Sequence, residues 1–180
     1  VVFGTGPIGF AAIALARAAG AGRIIAFEVS PLRQELARKV GADDVFDPVA
    51  LGRQGTAPRE VIMDLTQGQG ADMYVEAAGA PAVTVPEMEA TLAIGGKVVI
   101  IGRAAERAPL YLEHFQTRAG QIFGAQGHSG YGNFPYVIRL LAARRIDLTP
   151  TITSRFPLDQ TLAAMEKAAR REDGKIMVRS

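Results

Sequence analysis

The sequence has no cysteine and no tryptophan, and only two histidines, His114 and His128. Without thiols there is no disulfide, no thiolate nucleophile and no cysteine-bearing zinc site, so a metal would depend on carboxylates and those two imidazoles. A self-contained metal centre is therefore not expected. Charge of one sign is also in short supply. Twenty Lys and Arg are interleaved with eighteen Asp and Glu for a net charge of +2, which leaves no basic stripe for nucleic acid. Long apolar runs are missing too. The stretch from Ile8 to Ala16 is interrupted by Gly9 and closed by Arg17, well short of the roughly 20 residues that span a bilayer. No signal-peptide pattern is present. The expectation is a cytoplasmic protein with a small-molecule partner, and neither a nucleic acid nor a membrane.

What remains is ample for a core. In 180 residues, 48% are hydrophobic and 21% charged, which suits one domain with an appendage. Only Val1, Val2 and Phe3 precede a glycine turn, so the first strand is expected to be truncated and the chain to be a fragment.

Short β-branched runs alternate with helical stretches, the pattern of βαβ units carrying a parallel sheet. Strands are expected at Val1 to Phe3, Arg23 to Glu28, Val45-Phe46, Met73 to Ala77, Lys97 to Ile101 and Gln121 to Gly124. Helices are expected to about Ala19, over Pro31 to Val40 behind the cap Ser30, and over Pro58 to Thr66. Thr84 with Glu87 reads as a capping box that places Pro86 in a first turn, with that helix ending at Gly95-Gly96. Asp47 to Thr56 and Arg103 to Ala119 read as irregular. After a helix at Phe134 to Arg144, the pattern changes near Pro150 to strand (Ile152 to Phe156), helix (Asp159 to Arg171) and strand (Lys175 to Arg179), a unit too small to fold alone. The fold class is α/β, a doubly wound six-stranded parallel sheet with a short C-terminal strand–helix–strand segment.

Gly4-Thr5-Gly6-Pro7-Ile8-Gly9 follows a strand and opens a helix, the setting in which G-x-G-x-x-G binds a dinucleotide. Gly4 would make the tight turn, Gly6 would let a pyrophosphate approach the backbone, and Gly9 would let the helix pack closely on the sheet. Pro7 lacks an N–H and fixes the approach, so the amides of Ile8 and Gly9 are the expected anion donors. Glu28, 19 residues after Gly9 at the end of the second strand, is placed to accept ribose hydroxyls and to repel a 2′-phosphate, which favours NAD over NADP. Arg33 either flanks the adenine or is solvated. His114 reads as structural, and His128 as either a ligand contact or a loop residue. Glu76, a carboxylate inside an apolar strand, reads as an anchor for neighbouring amides.

Val2 to Gly9, Glu28, Gly41-Ala42-Asp43, Asp72 to Gly79, Gly95 to Gly102 and Gly174-Lys175-Ile176 together resemble the medium-chain dehydrogenase/reductase family, over nearly the whole chain. Within it the chain is similar to the zinc-dependent polyol, inosose and threonine dehydrogenase branch. The resemblance implies a Rossmann domain over residues 1–146 and a segment, 147–180, that belongs to a separate catalytic domain. It implies that Ala77, Ala78 and Gly79 line the cofactor, that backbone at Ile101 and Phe123 holds the nicotinamide carboxamide, and that Gly102 and Arg103 lie nearby. It also implies an alcohol or ketone substrate and a homo-oligomer formed through strand six.

Zinc, in that family, is held by an upstream domain. No catalytic or metal-ligating residue is assigned in this chain, which is expected to be inactive alone. Some relatives place a pyrophosphate-binding Arg near the fourth residue after the terminal Gly; here Val178 occupies that place and Arg179 comes one later, so the resemblance does not carry that contact over. Two alternatives stay open: an S-adenosylmethionine-dependent methyltransferase, which also uses a glycine turn and an acid after strand two, and a non-catalytic NAD-binding module.

Overall fold

The computed structural model describes residues 1–127, 130 and 132–180. Its organising element is a six-stranded sheet, ordered β3-β2-β1-β4-β5-β6 and parallel throughout. The strands are β1 (Val2–Phe3), β2 (Ile25–Phe27), β3 (Asp44–Phe46), β4 (Ala71–Glu76), β5 (Leu92–Ile100) and β6 (Gln121–Gly124). The strand order reverses between β1 and β4, where Val2 pairs with Ala26 on one side and Val75 on the other. Period-two alternation sends side chains to two cores. Val2, Ala26 and Val45 pack with Phe10, Ile13 and Leu36 on one face; Phe3, Phe27, Tyr74 and Val98 pack with Ile62 and Met88 on the other. The Phe3 and Phe27 rings stack with centroids 4.8 Å apart.

Five helices begin on proline: α1 (Pro7–Ala18), α2 (Pro31–Lys39), α3 (Pro48–Arg53), α4 (Pro58–Leu65) and α5 (Pro81–Ala90). At that position the missing N–H is one the helix would leave unpaired anyway. Ser30 caps α2 by accepting the Arg33 N–H, and Asp47 caps α3 by accepting those of Val49 and Ala50.

Four expectations are corrected. The stretch after Asp47 contains α3, and the stretch after Arg103 contains α6 (Leu112–Thr117). Thr84 is no cap: α5 starts at Pro81, and the Thr84 hydroxyl lies within hydrogen-bond distance of the Ala80 carbonyl and Glu76 Oε1. Pro86 is therefore internal, and its ring leaves the Ala82 carbonyl without a helical donor. Finally, Gly95 and Gly96 lie inside β5, where the ladder to β4 is irregular between Leu92 and Lys97, with Gly95 at φ 72°. A glycine pair there serves a strand irregularity instead of a helix end.

After α7 (Asn133–Ala142), β7 (Ile152–Pro157) and β8 (Lys175–Arg179) form a two-stranded parallel sheet around α8 (Thr161–Ala169). This unit leans on α2: Arg33 Nε donates to the Asp173 carbonyl at 2.9 Å, and a Cβ on Gly174 would stand 2.7 Å from Leu36. Asp173 in turn accepts from Thr153, Ser154 and Lys167, which knits β7, α8 and the turn before β8 together. At the other end of the main sheet, all four residues of β6 are exposed, and α7 buries none of its described residues. Among the described residues no helix is long and apolar enough to cross a membrane.

Candidate functional site

The carboxyl ends of β1, β4, β5 and β6 open into a crevice of about 1160 Å³. It lies where the strand order reverses, the position at which open α/β sheets bind ligands. Ile8 lines it beside Ala77, Ala78 and Gly79 after β4, Ile101, Gly102 and Arg103 after β5, and Gly124 to Gly127 at the end of β6.

The three glycines of the first turn are constrained differently. Gly4 has φ 85°, and a Cβ there would sit 2.5 Å from the Ala78 Cα. A Cβ on Gly9 would sit 2.0 Å from the Gly4 carbonyl oxygen, so the start of α1 can approach β1 only without a side chain. Around Gly6 nothing lies within 4 Å of that position. Protein packing explains Gly4 and Gly9 but gives no reason for Gly6, whose bare backbone faces open space. Ile8 and Gly9, in the first turn of α1, have amides with no intrahelical acceptor.

Glu28 is nearly buried and already committed. Its Oε2 accepts the Thr5 N–H at 2.8 Å and the Thr5 hydroxyl at 3.2 Å, and its Oε1 accepts the Ser30 N–H at 2.9 Å. The carboxylate thereby joins the glycine turn to the start of α2 and keeps acceptor capacity on Oε1. Arg33 lies away from the large crevice. With Pro7, Arg171, Asp173, Gly174 and Lys175 it lines a smaller cleft of about 220 Å³ against the C-terminal unit.

Glu76 is fully buried and gathers two loops. Its carboxylate accepts N–H groups from Ala78 (3.1 Å), Gly79 (3.3 Å) and Ala80 (3.3 Å). Its backbone carbonyl accepts those of Ile101 (3.0 Å) and Gly102 (2.8 Å). Ala77 donates to the Phe3 carbonyl. These residues therefore present Cα, Cβ and carbonyl groups to the crevice, with their amides turned inward. Glu76 anchors amides, as its place in an apolar strand implied.

Phe123 does not line the crevice; it sits within β6 opposite Val99, one residue short of the Gly124 that does. His114 lies on α6, its ring edge-on to Tyr111 and its Nδ1 3.9 Å from Glu89, and it does not line the crevice. The reading of His128 falls outside the described residues. Among the described residues no group of three or more His, Asp or Glu side chains is placed to hold a metal ion. Several crevice residues escaped the sequence reading, among them Glu106, Gln126 and Arg171, the last brought to the rim by the C-terminal unit. The only local signal for Arg171, a basic residue past a helix end, does not say which way that unit folds back.

Comparison with known proteins agrees with this geometry. The sequence model described as "Zinc-binding dehydrogenase" matches residues 7–143. Scyllo-inosose 3-dehydrogenase of Thermotoga maritima is 40% identical over 164 residues, covering 89% of this chain and 40% of that protein. Sorbitol dehydrogenase of Bacillus subtilis is 33% identical over 180 residues, covering 98% and 49%. The solved structure of a putative alcohol dehydrogenase from Thermotoga maritima superposes with a TM-score of 0.89 at 36% identity, over 99% of this chain and 45% of that one. The chain thus spans about half the length of the relatives it matches. With the family's sequence pattern running from the first helix through α7, and the strand order and crevice in place, the chain belongs to the zinc-binding dehydrogenase family.

Proposed function

We propose that the chain is the NAD-binding portion of a cytoplasmic oxidoreductase that moves hydride between NAD and a small secondary alcohol of the polyol type. The observation that carries this reading is Gly6: its missing side chain serves no packing purpose, and it faces open space beside the start of α1. In that position the pyrophosphate meets the amides of Ile8 and Gly9, with no Cβ in the way. Glu28 accepts a ribose hydroxyl on Oε1 while its other oxygen holds Thr5, and its charge disfavours a 2′-phosphate. The nicotinamide lies along Ala77 to Gly79 and Ile101 to Arg103, where carbonyls and small side chains set its orientation.

Once bound, the cofactor supplies the hydride chemistry at nicotinamide C4; the chain positions the ring and shields its face. Residues 1–146 form the cofactor domain, and 147–180 return to a catalytic domain that carries the zinc and most of the substrate pocket. Among the described residues no ligand set fits zinc. The exposed edge of β6 pairs with its equivalent in a second copy. The names of the relatives, an inosose and a sorbitol dehydrogenase, support the polyol class.

Calorimetric titration of the chain with NADH, with S-adenosylmethionine in parallel, tests the binding half. NADH is expected to bind and S-adenosylmethionine is not; the reverse would overturn the reading. Oxidation of sorbitol by the chain alone would overturn the assignment of catalysis to other residues.

A further inference from the structure

We propose that a second cavity, beneath the loop that joins β5 to α6, is a binding site for a small uncharged alkyl-aromatic molecule. The site stands apart from the nucleotide reading above and does not depend on it. The cavity measures about 290 Å³. It lies among Met88 of α5, Val98 of β5, Phe115 of α6 and Ile122 of β6, and the loop contributes Ala108 and Leu110. Every side chain that lines it is apolar. The β5 backbone at this point is paired with β4 on one side and β6 on the other, so it offers no free polar group. Pro81 and Ile100 line both this cavity and the large crevice and form the partition between them.

The space is held open by its surroundings. The loop is tied at both ends: Ile101 and Gly102 donate to the Glu76 carbonyl, and Tyr111 donates to the buried Glu89 carboxylate at 2.8 Å. Pro109 fixes a backbone torsion between Ala108 and Leu110. Phe115 packs so closely on Gly120 that a Cβ there would stand 2.9 Å from its ring. The methyl of Ala108 is too short to reach across what remains. Leu110 and Ile122 are exposed and mark the way in. An apolar cavity of this kind stays dry, and one of about 150 Å³ already admits benzene. Nearly twice that volume suits a ring carrying a short alkyl chain. A peptide segment is the poorer occupant, because its N–H and C=O groups would meet no partner on these walls.

The test uses the full chain and its Ala108→Phe and Ile122→Thr variants, titrated by calorimetry with n-butylbenzene and with 1,6-hexanediol, melting temperatures being recorded alongside. Ile94→Thr, on an exposed side chain outside the cavity, is the control. n-Butylbenzene is expected to bind the unaltered chain with a dissociation constant below about 1 mM and to raise its melting temperature. The diol, whose hydroxyls would lose water without gaining a partner, should not bind. Ala108→Phe fills the space with its own ring and should abolish binding. Ile122→Thr sets a hydroxyl in the lining and should weaken binding about tenfold; it decides the matter if Ala108→Phe fails to fold. Ile94→Thr should match the unaltered chain. No binding of n-butylbenzene to the unaltered chain would overturn the proposal, as would equal binding of the diol, or undiminished binding in Ile122→Thr. Sedimentation at rising protein concentration completes the test: the affinity should not change as the chain self-associates, and a fall in step with association would give the space to a second copy and overturn the proposal.

Discussion

Oε2 of Glu28 accepts both the backbone N–H and the hydroxyl of Thr5, across 2.8 and 3.2 Å. One carboxylate thus fixes the shape of the glycine turn, besides the sugar contact proposed for it. Thr5 is fully buried, and its hydroxyl also lies 3.4 Å from the Arg33 carbonyl, so the turn, β2 and α2 share one polar junction. Replacing Glu28 should therefore affect folding and binding together. Glu28→Gln keeps the shape but loses the charge; it should cost about 1–2 kcal/mol of stability in urea melts and weaken NADH by about tenfold. It should also narrow the preference for NADH over NADPH, measured by parallel titrations.

The turn glycines should separate cleanly. Gly9→Ala puts a methyl 2.0 Å from the Gly4 carbonyl oxygen and should destabilise the chain by about 3 kcal/mol or more, read as a lost or early melting transition. Gly6→Ala meets no protein atom and should melt within about 1 kcal/mol of the unaltered chain while losing most NADH affinity. A Gly6→Ala chain that bound NADH normally would contradict the role given to that open space.

Glu76→Gln would set an amide N–H₂ against either the Gly79 N–H, in place of Oε2, or the Ala78 and Ala80 N–H groups, in place of Oε1. A loss of about 2–4 kcal/mol is expected, with faster hydrogen exchange at Ala78, Gly79 and Ala80 than elsewhere in the sheet. Uniform acceleration over all strands would point to global loosening instead.

Tyr74 gives an alkaline signature. Its ring is buried and its hydroxyl donates to the Thr91 carbonyl at 2.7 Å. Burial pushes that hydroxyl from 10.0 up to about 12, outweighing the hydrogen bond to Thr91. In the unfolded chain the phenol ionises near 10, whereas the folded chain holds the proton longer. The folded state then binds more protons, so this stabilisation is complete below pH 10 and is lost as pH rises through about 12. Urea midpoints should fall over that window, and Tyr74→Phe should flatten the fall while costing about 1 kcal/mol at pH 8.

The sheet was legible because βαβ units announce themselves in short, local patterns: apolar strand, glycine or capped turn, amphipathic helix. The glycine motif and Glu28 were legible for the same reason. What escaped depends on tertiary placement. Thr84 and Glu87 have capping-box spacing, but α5 starts earlier at Pro81, and Thr84 turns back toward Glu76. Gly95-Gly96 looks like a helix stop and is a strand irregularity, because register is set by the neighbouring β4. α6 has six residues, too few to show a helical period, and the buried Glu89 holds its start by accepting the Tyr111 N–H. Arg171 reaches the crevice only through the packing of residues more than a hundred positions from Ile8, which no local pattern encodes.

The convergence of five N–H groups on Glu76 has a mechanical corollary. The turns leaving β4 and β5 are pinned to one residue, the first through the Glu76 carboxylate and the second through its backbone carbonyl. The glycine turn opposite is stapled by Glu28. The C-terminal unit is tethered to α2 by Arg33, so each of these walls is held by a bond that a single substitution can remove.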